Sequence, residues 1–191
     1  MKLTAFLLSC FALFACSAFA QGDIFSGTWA MEYKQNPEDS SFFVELQIAE
    51  PEQQLLYPAQ LKIKYGAFDA IYHLLLVKQH NGQLAISRNK FAVKEEPFSI
   101  GTWTIVLNGT LSLSKESGKQ VLTVQRIASK RYGIPLPTII NYEEANRTAV
   151  MRISDFLKQA PVQLQKIGEA PWRSADAGKL LHSYDSPAYL G

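Results

Sequence analysis

Three histidines, two Glu-Glu pairs and two cysteines offer the most obvious chemistry in this 191-residue chain. Their spacing does not assemble an active site. His73 and His80 stand seven positions apart, which puts them on opposite faces of a continuing strand and rules them out as paired metal ligands. His73 lies among leucines and a valine and reads as a core histidine with its hydrogen bonds met. No Gly-x-Ser-x-Gly elbow, glycine-rich phosphate loop or His-Glu-x-x-His zinc helix occurs. Glu95-Glu96 precedes Pro97 and reads as a solvated turn, while Glu143-Glu144 suits the N-terminus of a helix, where the dipole favours acid. These residues give no catalytic assignment, no metal site and no cofactor. Catalysis assembled from scattered residues stays open at this stage.

The cysteines belong to a different problem. Cys10 and Cys16 both fall in residues 1–20, which begin Met1-Lys2, continue in an apolar run from Leu3 to Ala15 and end Ala18-Phe19-Ala20. A short positive start, an apolar stretch too short to span a bilayer and a small-x-small site make a secretory signal peptide. The mature chain is then expected to start at Gln21, to carry no cysteine and to reside outside the cell or in a periplasm. Disulfides, thiolate catalysis and Cys-ligated zinc go with the signal. Leu13-Phe14-Ala15-Cys16-Ser17 also has the outline of a lipid-attachment site, so anchoring through Cys16 is the alternative. The remaining 171 residues are enough to bury a core. With 18 basic against 17 acidic side chains and no basic stripe, nucleic acid is not an expected partner. No second apolar run approaches membrane-spanning length.

The elements that must position any site are strands. Strands are read over Thr28–Lys34, Phe42–Ala49, Pro58–Tyr65, Ala70–Gln79, Gln83–Phe91, Gly101–Leu107, Thr110–Ser114 and Val121–Ile127, most by alternation. Ile71–Val77 in the fourth is instead apolar on both faces and is expected to be covered on both sides. Asn81-Gly82 and Asn108-Gly109 are expected type I′ hairpin turns. Eight short strands joined by tight turns predict an antiparallel up-and-down β-barrel, with a two-sheet sandwich as the alternative. Beyond the extended Gly133–Pro137 linker, an apolar stripe predicts a helix over residues 141–159, with a strand near Ala149–Ile153 and a short helix begun by Ser154 as the alternative. Val162–Ile167 alternates again as a short ninth strand. The tail from Gly168 has no periodicity that assigns an element. The domain expected is therefore residues 21–167, with 168–191 as a C-terminal extension.

Gly27-x-Trp29 at the mouth of the first strand, followed by the meander, a helix and a ninth strand, resembles the lipocalin family. That resemblance implies a tryptophan plugging the closed end of the barrel, with an arginine near the end of the last barrel strand lying across its ring. Arg126 occupies the matching place. The Thr-Asp-Tyr stretch usual after the sixth strand is replaced by Asn108-Gly109-Thr110, and the loop after the first strand is short for a lid. The resemblance also implies a small apolar ligand held inside the barrel.

At the opposite end, the last residues of odd strands and the first of even ones converge. This places Tyr33, Phe42, Tyr65, Tyr72, Phe91 and Trp103 around the open mouth as expected ligand-binding residues, with Trp29 and Arg126 as structural ones. Two functions remain in view. One is an exported protein holding a small apolar ligand; the other is a cell-envelope structural or protein-interaction β module with a filled core and no small ligand.

Overall fold

The computed structural model describes residues 22–34, 37–38, 40–97, 100, 109–125 and 162–184. Among them, eight antiparallel strands follow one another: β1 (Gly27–Tyr33), β2 (Phe42–Ile48), β3 (Leu56–Tyr65), β4 (Phe68–Lys78), β5 (Leu84–Glu96), β6 (Thr110–Glu116), β7 (Lys119–Gln125) and β8 (Val162–Gly168). A helix, α1 (Asp176–Tyr184), comes last. Each strand pairs with its sequence neighbour, and β8 returns to β1, so the sheet closes into a barrel.

The alternation that marks the strands also sets their faces. In β2, Phe42, Val44, Leu46 and Ile48 are buried while the residues between them are partly exposed. Following inward residues across the hydrogen-bonded register gives three rows. The first runs Tyr33–Phe42–Tyr65–Phe68, and the second Met31–Val44–Ile63–Ala70–Glu95. The third runs Trp29–Leu46–Leu61–Tyr72–Ala92.

β4 is buried on both faces because a second apolar layer lies outside the barrel. Its inner side chains join the barrel core. Leu75, on the outer face, packs instead with Ala49, Leu56, Trp172 and Leu180. The chain after Gly168 thus folds back on the barrel wall, tied by the Trp172 amide donating to the Ile48 carbonyl at 3.1 Å. Ser174 caps α1 by accepting the Asp176 amide at 3.1 Å, and Asp176 complements the positive end of the helix.

Two expectations are corrected here. The strand that closes the ring on β1 is Val162–Gly168, read from the sequence as a ninth strand, and not the strand ending near residue 126. Local alternation marks a strand but carries no information on a partner more than a hundred residues away. The Asn81-Gly82 turn is also a three-residue loop, with positive φ at Gly82 (81°) but not at Asn81. Gly82 donates to the Gln79 carbonyl at 2.9 Å, and Gln79 and Gln83 close the loop. Ser117-Gly118, between β6 and β7, forms a two-residue turn with positive φ at both positions (50° and 83°). The expected sixth strand with Trp103, Asn108, Arg126 and the helix over 141–159 lie outside the described residues.

Candidate functional site

One end of the barrel is shut by a chain of contacts that starts at Trp29. Its indole Nε1 donates to the Phe25 carbonyl at 2.8 Å, and its side chain is fully buried. Phe25 meets Tyr57 edge-on at 5.9 Å. The Tyr57 hydroxyl donates to Asp23 Oδ2 at 3.0 Å, while Asp23 Oδ1 accepts the Phe25 amide at 2.9 Å. Burial, then the hydrogen bond and charge of Asp23, then the Glu50 charge push the Tyr57 phenol far above its ordinary pKa. Tyr57 therefore stays a neutral donor throughout the useful pH range.

Over the Trp29 ring, 5.6 Å from its centre, lies the ammonium of Lys166. Gly27 makes the closure possible. Its φ of +123° is left to glycine, and a Cβ there would collide with the Gly168 carbonyl oxygen as β8 ends.

The opposite end carries the aromatic row. The Phe42 and Tyr65 rings stand 6.2 Å apart at 46°, flanked in register by Tyr33 and Phe68. Tyr33 is 45% exposed, whereas Phe68 is 1% exposed. Between the two ends, several inward residues that pack on the core stay only partly buried, among them Met31, Leu61 and Ala92.

The lumen also holds polar groups. Glu95 faces inward opposite Ala70 and is 1% exposed. Burial, followed by the charge of Glu95, drives the Tyr72 phenol far upward, so Tyr72 remains neutral beside this carboxyl. Lys90, opposite Leu74, donates to the Ser87 carbonyl at 3.2 Å. Its ammonium is pushed below the ordinary lysine value by burial.

Of the residues expected at the mouth, Tyr33, Phe42 and Tyr65 come together there. Tyr72 sits deeper, in the same cross-strand row as Trp29. The reason is that β4 starts at Phe68, so Phe68 takes the rim position. Phe91 lies on the outer wall, its ring 5.2 Å from His73 and packed with the α1 cluster. Phe91 is out of phase with the inward Leu84, Ile86, Lys90 and Ala92, and β5 runs past it to Glu96. A bulge after Ala92 then brings Glu95 inward where plain alternation would put Lys94. Trp103 and Arg126 are outside the described residues.

The sequence reading missed Phe68, Lys90, Glu95 and Lys166. Phe68 was findable, since it continues the Ala70–Tyr72 phase just after the Gly66 turn. Lys90 shares the phase of the inward Leu84, Ile86 and Ala92, whereas nothing local marks Glu95 as inward.

His73 is buried, as expected for a core histidine, but between the barrel wall and α1. Its ring lies 4.9 Å from Trp172, its Nε2 is 3.3 Å from Gln60 Oε1, and its Nδ1 is 3.4 Å from Asp176 Oδ2. The last distance allows attraction but is long for a hydrogen bond. Among the described residues, no three His, Cys, Asp or Glu side chains could hold a metal ion, and no helix is long and apolar enough to cross a membrane.

The barrel is aromatic at one rim and closed at the other around Trp29, with several core-packed side chains partly exposed and a few polar groups on its inner wall. Comparison with protein-family models, with curated proteins and with solved structures returns no match, so the case for function stands on this geometry.

Proposed function

We propose that the chain is an exported binding protein that holds a small apolar molecule inside a lipocalin-like barrel. The observation that carries this reading is the asymmetry of the lumen. Trp29, Tyr57, Ala59 and Leu76 have no exposed surface, whereas the inward-facing Met31, Leu61, Tyr65 and Ala92 retain some. A barrel packed solid from end to end would bury both sets alike. Export rests on the apolar leader and Ala18-Phe19-Ala20, with lipid attachment through Cys16 as the other route to the same side of the membrane.

A second reading, a cell-envelope interaction module with no small ligand, is favoured by Phe42, Phe68 and Tyr72, whose near-complete burial fills part of the interior. Native mass spectrometry of the purified protein separates the two. A ligand-bound mass, or saturable uptake of a fluorescent apolar probe, supports the binding protein. An apo mass alone together with no saturable uptake supports the module.

A further inference from the structure

The inner wall of the barrel carries a cation, Lys90, that no carboxylate of the described residues neutralises. Asn89 and Phe91 both face α1: the Asn89 amide donates to the Leu180 carbonyl at 3.2 Å, and Phe91 packs with the helix cluster. Alternation therefore turns Lys90, between them, into the barrel, opposite the buried Leu74. Its one hydrogen bond among the described residues goes to the Ser87 backbone carbonyl. No carboxylate of the described residues lies within ion-pair distance of it. An ammonium has three donors, and keeping it charged in an apolar enclosure is unfavourable without an anionic partner.

The lumen surface beside Lys90 is also the surface a ligand can reach. Ala92, the next inward residue on β5, and Leu61 in the Ala92 row are both partly exposed, as is Lys90 itself. The inward acid, Glu95, is covered and sits against Tyr72, one inward residue closer to the rim than Ala92. A second anionic group on the ligand would be disfavoured there. Among the described residues, the rim beyond offers the rings of Tyr33, Phe42, Tyr65 and Phe68.

Resting on the binding-protein reading, we propose that Lys90 anchors a carboxylate head. The bound molecule is then a single-chain amphiphile, head inward and apolar tail toward the aromatic rim. A Lys–carboxylate contact in this setting is a charge-assisted hydrogen bond, the strong kind.

The test compares a fluorescent fatty carboxylate with its methyl ester of equal chain length, on the full mature protein and on Lys90→Met and Lys90→Arg. The carboxylate should bind about tenfold tighter than the ester to the wild type. Lys90→Met should bring the two affinities together, and Lys90→Arg should keep them apart. Equal affinities in the wild type, or a preference that survives Lys90→Met in protein shown by circular dichroism to be folded, overturns the proposal. Should Lys90→Met fail to fold, the wild-type ratio and the Arg variant still decide. Saturable binding of both probes without a carboxylate preference sinks the head-group inference alone. Binding of neither sinks the barrel-ligand reading as well.

Discussion

Lys166 and Trp29 are direct cross-strand partners on β8 and β1, and the lysine ammonium rests 5.6 Å from the centre of the indole ring. The contact forms where the ring of strands closes, so the plug and the barrel seam are the same structure. A cation was expected over this ring from Arg126. The one observed belongs to the strand that the sequence placed ninth. Lys166 is well covered, its side chain 10% exposed, and it also pairs with Glu169 at 2.5 Å.

Lys166→Met keeps the apolar stem and removes the charge. It should cost about 0.5–2 kcal/mol, the range for a cation held over an aromatic face. Urea unfolding followed by Trp fluorescence measures this, and Lys166→Arg should retain most of the stability.

Gly27→Ala should be more damaging. The substitution forces a side chain into φ +123° and against the Gly168 carbonyl, so both backbone strain and a clash act at the seam. A loss of about 2 kcal/mol or more is expected. It should appear as a lower urea midpoint with little change in slope.

Trp172→Ala removes the aromatic slab between α1 and His73. The outer cluster of Leu56, Leu75 and Leu180 then loses its cover, and the expected cost is about 2–4 kcal/mol. Thermal melting should show the loss, accompanied by a rise in binding of a dye that reports exposed apolar surface.

Acidification should weaken the same packing through His73. Burial holds its imidazole below the ordinary value, Asp176 pulls the other way, and Lys179 adds to the lowering. The unfolded chain takes up the proton near pH 6.5, the folded chain only at lower pH. Stability associated with neutral His73 is therefore fully present above about pH 6.5 and drains away as pH falls below it. Asp176 titrates in a lower window, because its hydrogen bond to Lys179 holds it below the usual carboxylate range. Urea midpoints from about pH 7.5 to about pH 5 should fall in the wild type, and His73→Gln should flatten that slope.

Much of the barrel is legible in the alternation of residues such as Phe42, Val44, Leu46 and Ile48, because a half-buried strand must show it. The rim residues Tyr33, Phe42 and Tyr65 follow from the same phase. Phe91 does not belong with them, because the inward phase of Leu84, Ile86 and Ala92 skips it, and Glu95 turns inward only through a bulge that no local period records. Helix α1 was missed because it is short and its apolar face is narrow. Its one local signal, Ser174 two residues before Asp176, marks a cap only once the helix is known. The role of Lys166 was hidden for a different reason: it depends on which strand meets β1, a long-range choice set by closure of the whole sheet.

The most direct test of the central claim is a titration of the mature protein with a fluorescent apolar probe, set beside Ala92→Trp, which fills the partly accessible lumen from its own wall. One-to-one saturable binding by the wild type, lost in a folded Ala92→Trp protein, is the predicted result. No saturable binding by the wild type, or equal binding by both proteins, would contradict an accessible binding lumen.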